Sequence, residues 1–173
     1  MVFRRKALTD LTKSTVRIAV LYASDPLGTV PGGIETFIRG ILRHAPSDLA
    51  FDVIGITTDP AERPVGRWTE CDLGGQVFRL FPVDVIRRPG QRGLVPETVR
   101  YLLALKRYRS LLREDYAVFD YHRIEPAFFM RREAVAHNIF FHQNMSVIRS
   151  AGSDIKWKHM PWLYDFIEGR IIR

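Results

Sequence analysis

The chain holds one cysteine, Cys71, in 173 residues. That count excludes an internal disulfide, cannot supply a zinc site by itself, and fits a reducing compartment. No apolar run approaches the ~20 residues that a bilayer-spanning helix needs. The basic start MVFRRKALTDLTKSTVR is not followed by a secretory-type apolar core before Asp25-Pro26. There is no internal repeat and no low-complexity tract. Helix-turn-helix spacing, an RNP-like motif and a basic stripe interleaved with exposed aromatics are all missing, so nucleic acid is not an expected partner. The reading left by these absences is cytoplasmic, with a peripheral position at the inner face of a membrane kept open.

What is present describes one ordinary globular domain: 46% hydrophobic and 26% charged residues. The formal net charge is +7, from 26 Lys+Arg against 19 Asp+Glu, and favours anionic partners without choosing among them. Residues 1–15 read as a basic N-terminal extension and 16–173 as the domain. VRIAVLYA (16–23) is apolar on both faces, as a strand covered on both sides must be. SDPLGTVPGG (24–33) is a loop. Ile34, Phe37, Ile38, Ile41 and Leu42 then recur at helical spacing, up to Pro46. FDVIGITTD (51–59) and GQVFRLFPVDVI (75–86) are further strands, Pro82 confining part of the latter to an edge or a strand end.

Residues 95–114 form an amphipathic helix with Pro96 in its first turn. Thr98, Tyr101, Leu102, Leu105, Tyr108 and Leu112 line its buried side, and Arg100, Lys106, Arg107, Arg109 and Arg113 are solvated. YAVFDYH (116–122) and NIFFHQN (138–144) are short strands, each ending in a polar cluster with a histidine; a short helix or turn lies between them. A last helix is expected over 155–173. Strands alternating with helices predict an α/β fold with a Rossmann-like, doubly wound, mostly parallel sheet. Ligands of such sheets bind at the carboxyl ends of the strands, where the strand order switches. The polar clusters after Ala23, Tyr121 and Phe141 all fall there.

TVPGGIETFIRG (29–40) carries the most informative spacing. Gly32 and Gly33 let the backbone approach a ligand, and a helix starting there aims free N–H groups and the positive end of its dipole into the loop. Such an end favours phosphate. The stretch is neither GxGxxG nor the phosphate-loop pattern GxxxxGK followed by Ser or Thr, so a dehydrogenase-type dinucleotide site is not indicated. A plain strand-to-helix turn explains the glycines as well.

Strand, PGGIE loop, amphipathic helix and FDVIGIT strand together resemble the N-terminal domain of the family 4 retaining glycosyltransferases, over roughly residues 16 to 170. The resemblance implies the N-terminal half of a GT-B fold. It further implies a function: binding the acceptor while a sugar moves, with retention, from a nucleotide-diphosphate sugar to an acceptor hydroxyl, in the making of cell-envelope or capsule glycans. Gly32 and Gly33 match the loop that approaches donor diphosphate and acceptor. His142 in FFHQNMS matches the polar residue that lines the cleft beside the transferred sugar and is the catalytic candidate. His122 and Arg123 match acceptor-side groups. Gln143 and Asn144 stand where the family frequently has an acidic residue, so that contact differs. Each histidine also has a simpler reading as a satisfied strand-end residue, and Arg123 as the partner of Glu125.

The resemblance also implies a second, nucleotide-sugar domain that this sequence does not hold. The chain is therefore expected to be a separated or truncated half, inactive by itself. No cofactor and no metal are expected; basic groups and helix N-termini would stabilise the leaving diphosphate. No Asp or Glu stands out as a nucleophile, which favours same-face attack with the donor phosphate as base. The expected partners are the donor, a glycan or lipid-linked acceptor, the missing domain and, through Arg87, Arg88 and Arg92, an anionic membrane surface. Two alternatives remain. One is another Rossmann-type nucleotide-dependent enzyme domain, for which Asp52 or Asp59 is near the right distance but the glycine spacing is wrong. The other is a basic nucleic-acid-binding module.

Overall fold

The computed structural model describes residues 15–29, 32–86, 95–112, 115–130, 135–142, 166 and 169–170. Among them the elements run β1 (Val16–Leu21), α1 (Gly33–Arg43), β2 (Leu49–Thr57), β3 (Thr69–Asp72), β4 (Val77–Val85), α2 (Glu97–Tyr108), β5 (Val118–Tyr121), α3 (Ile124–Met130) and β6 (Ala136–Ile139). They build an α/β fold on one six-stranded sheet of order β3-β4-β2-β1-β5-β6. All neighbours are parallel except β3, which runs antiparallel to β4 at one margin.

Alternate residues of the central strands feed two separate cores, as the period of a strand requires. Val20, Val53, Phe78 and Leu80 pack with Ile38 and Leu42 of α1. Ala19, Leu21, Ile54, Ile56, Phe81 and Val83 pack with Tyr101 and Leu105 of α2 and with Ala127 and Met130 of α3. The helices thus lie on both faces, α1 on one and α2 with α3 on the other. This is why β2 is buried from Phe51 through Thr57 and reads as an unbroken apolar run. Tyr101 reaches across the second core and donates its hydroxyl to the carbonyl of Ile54 at 2.6 Å, so its one polar atom is satisfied where it is buried.

The boundaries of α1 follow from its ends. Gly32 is its N-cap, Glu35 lies in the first turn and Arg43 in the last, both favourably placed in the helix dipole. α2 ends at Tyr108, short of the expected 114; Tyr101 and Leu105 are buried as the pattern requires, Thr98, Leu102 and Tyr108 are half-buried, and Leu112 is buried from the turn that follows the helix. Arg100 departs from the expectation of a solvated arginine: its guanidinium pairs with Asp84 and donates to the carbonyl of Val85 at 3.0 Å, tying α2 to β4.

Pro82 sits inside β4 opposite Gly55, at a register shift between Gly55 and Ile56. β3 accompanies β4 only from Val77 to Leu80, so Pro82 faces no strand on that side. Its carbonyl instead accepts the N–H of Gly66, at 2.8 Å. Gly66 needs its lack of a side chain twice, having φ of +80 and the Tyr108 ring 3.0 Å from where a Cβ would stand. Most of the expected extension 1–15, the arginines 87, 88 and 92, and nearly all of the expected helix 155–173 lie outside the described residues. Among the described residues no helix is long and apolar enough to cross a membrane.

Candidate functional site

β1 has β2 on one side and β5 on the other, so the strand order reverses at β1, and the site candidates gather at the carboxyl ends there. The parallel ladder continues past the strands: the His122 N–H bonds the carbonyl of Leu21 at 3.3 Å, and the Phe140 N–H that of Tyr121 at 2.8 Å. That pairing sets His122, just after β5, beside the segment that follows β6. His122 stacks on Phe140, with ring centroids 4.7 Å apart and planes 5° from parallel. It also stacks on His142 at 5.1 Å, and the two imidazoles meet in a hydrogen bond, Nδ1 of His122 to Nε2 of His142, of 2.9 Å. Phe37 of α1 closes the cluster edge-on, 5.7 Å from His122 and 5.5 Å from His142.

The two histidines differ in exposure. His122 is 1% exposed, whereas His142 is open to solvent. Burial, and then the neighbouring His142, push the His122 imidazole down to about 4. Burial also lowers His142. Both rings are therefore neutral at pH 7. Nε2 of His122 is buried and has no hydrogen-bond partner among the described residues. Tyr22, at the end of β1, meets His122 edge-on at 6.3 Å. Burial and then the Glu35 carboxylate push its phenol up to about 12, so it too stays neutral.

Gly32 and Gly33 sit at the start of α1, and neither has a positive φ. Gly32 is extended, with φ of −81, and a Cβ there would meet Oε2 of Glu35, the far end of a flexible side chain, at 2.5 Å. Among the described residues nothing lies within 4 Å of a Cβ at Gly33. Nothing among the described residues demands glycine at either position. Arg123 donates to both oxygens of the buried Glu125 carboxylate, at 3.2 and 2.7 Å, as the simpler reading of that residue has it. Gln143 and Asn144 lie outside the described residues.

Asp25 escaped the sequence reading. Its buried carboxylate accepts the N–H groups of Leu27 and Thr58 at 3.0 and 2.8 Å, the Thr58 hydroxyl at 2.6 Å and the Arg63 guanidinium at 3.0 Å. Burial opposes its charge, but the Thr58, Leu27 and Arg63 donors outweigh that and hold the carboxyl below its ordinary value. The signal was legible: Asp-Pro-x-Gly is a turn signature, and Asp25 bonds the backbone two residues on. This knot fixes the loop after β1 against the loop after β2. A guanidinium bond from Arg39 to the carbonyl of Gly28 fixes it to α1. Gly55 makes room for it, since a Cβ there would collide with the Ser24 carbonyl.

On the same sheet face as His122, Asp120 of β5 is buried and accepts from Nδ2 of Asn138 at 2.8 Å. Burial raises its carboxyl. Among the described residues no group of three or more His, Cys, Asp or Glu is placed to hold a metal ion. Two of the carboxylates at this end, Asp25 and Glu125, are committed to partners. The arrangement offers a neutral histidine pair with one exposed member, beside a helix N-terminus that has no side-chain cap among the described residues. No protein-family profile and no curated protein sequence match the chain.

Proposed function

We propose that this chain is the acceptor-binding half of a retaining glycosyltransferase, with the sugar transferred from a nucleotide-diphosphate donor. The observation that carries the reading is the meeting of His122 and His142 next to the start of α1, where the strand order reverses. The strand order, with helices on both faces, supports a doubly wound Rossmann-like sheet and, through it, one half of a GT-B enzyme. In this reading His142 touches the sugar, and Gly32 and Gly33 let the acceptor or diphosphate approach the helix end. A second domain binds the nucleotide, no metal takes part, and the acceptor is a glycan or lipid-linked glycan handled on the cytoplasmic side.

The test is an amide NMR titration of the chain with UDP, GDP, their sugars, and short glycan and lipid-linked glycan acceptors. Shifts concentrated at Gly32, Gly33, His122 and His142 are expected with the acceptors and, more weakly, with the donors. Shifts confined to other parts of the sheet, or none with any ligand of either class, overturn it.

A further inference from the structure

The two histidines do not divide their protons freely, and the burial of one constrains the other. Their contact, Nδ1 of His122 to Nε2 of His142 at 2.9 Å, needs one proton between two neutral rings. If His142 supplied it, His122 would have to carry its own proton on Nε2. That nitrogen is buried without a partner among the described residues, and an N–H stranded there costs the full desolvation of a donor. If His122 supplies it from Nδ1, its Nε2 is left as a bare ring nitrogen inside the cluster of Phe140, Phe37 and His142. Either way Nε2 goes unpaired among the described residues; among buried backbone groups an orphaned N–H is rarer than an under-used acceptor, and the ring is assigned on that asymmetry. Burial lowers both rings and so disfavours a charged pair.

We propose that His122 is a positioning residue that holds His142 as its Nδ1–H tautomer, so that the site meets its ligand with a fixed, neutral N–H donor. His142 has its Nε2 engaged and its Nδ1 as the nitrogen left over on an exposed ring. It donates to a ligand oxygen and does not act as a general base. The inference rests on the functional reading only for the presence of a ligand; the tautomer itself is a property of the free chain. The stacked rings fix the plane in which that N–H points, as a donor aimed at a hydroxyl or phosphoryl oxygen requires.

The experiment is a long-range proton–nitrogen correlation of the imidazoles in the 15N-labelled full chain at pH 7, without ligand. His142 is expected with a pyrrole-type Nδ1 and a pyridine-type Nε2. In His122→Asn the side-chain amide nitrogen stands near the lost Nδ1 and donates in its place, so the His142 tautomer is retained. In His122→Phe the ring stack survives without a donor, and His142 turns to the Nε2–H form that an unconstrained imidazole favours. Protonation of His142 at Nε2 in the unaltered chain, or at both nitrogens, overturns the proposal. So does an unchanged His142 in a folded His122→Phe chain. If that variant does not fold, the unaltered chain and His122→Asn decide alone. A chain with the expected tautomer but no ligand shifts at the site would sink the functional reading and leave the tautomer standing.

Discussion

Two polar clusters occupy opposite ends of the same sheet, and their chemistry is opposite too. Near the amino ends, Asp52 of β2 is the shared acceptor of Arg79 on the neighbouring strand, at 2.8 Å from its Nε, and of the Tyr116 hydroxyl at 3.0 Å. Arg17 approaches to 3.9 Å, and the Arg79 guanidinium lies over the Trp68 ring at 4.6 Å. Both oxygens of this buried carboxylate accept hydrogen bonds there, as its desolvation demands. At the carboxyl ends, the His122–His142 pair is neutral, leaves one buried ring nitrogen unbonded and exposes another ring. A saturated cluster has nothing left to offer a ligand. An unsaturated one gives up stability and keeps the capacity to bind.

The largest effect is expected at Asp52. Asp52→Ala removes the acceptor common to two arginines and a tyrosine and is expected to cost about 3 kcal/mol or more in urea denaturation. The His142 tautomer, read in the same sample below the transition, should not change. A change there would join two ends that the structure keeps apart.

The next effect is one of pH. The folded His122 lies near 4 against an ordinary value of 6.5, so between those values the unfolded chain binds the extra proton. Its contribution to stability is therefore complete above about pH 6.5 and is lost as pH falls toward 4, by about 3 kcal/mol at about 1.4 kcal/mol per pH unit. Asp120, raised by burial, and Asp25, lowered by its donors, add their own slopes. The difference between the chain and His122→Phe isolates the histidine: the variant should show the flatter profile across that window. Equal profiles would mean that the pair is not buried as described.

The glycines give the smallest effects. Gly33→Ala places a methyl in open space at the first position of α1 and should stabilise the chain by about 0.5 to 1 kcal/mol. Gly32→Ala needs only a small movement of Glu35 and should leave stability within about 0.5 kcal/mol. If the helix start is a ligand turn, both should still weaken the amide shifts produced by the acceptor. Shifts of undiminished size would make Gly32 and Gly33 a turn and nothing more.

The sequence made the centre of the fold legible and its margins less so. β1 and β2 are buried on both faces, so their unbroken apolar runs announced them. β3 was not anticipated, because Thr69–Asp72 is four residues with only Cys71 buried. β6 was expected over 138–144 from its apolar letters. The structure places it at Ala136–Ile139, paired with Val118–Tyr121 of β5. At the site, the residue types and strand ends were visible, but the contact between His122 and His142 was not. Twenty residues separate them along the chain, and only the adjacency of β5 and β6 brings them within a hydrogen bond. The glycines ran the other way: their spacing suggested a backbone need that the observed dihedral angles do not show.

Pro82 and the short β3 bear on how copies of this protein meet. A sheet can grow by accepting a strand from another molecule wherever its margin presents a run of unpaired N–H and C=O groups. On the β4 side that margin is four residues of β3, two of them acidic, and beyond it a proline with no N–H to give, whose carbonyl Gly66 already takes. Strand addition is blunted there. Among the described residues the other margin is β6, with Ala136 and Asn138 exposed on alternate positions. Among the described residues, β6 is therefore the margin at which a strand from another copy could add.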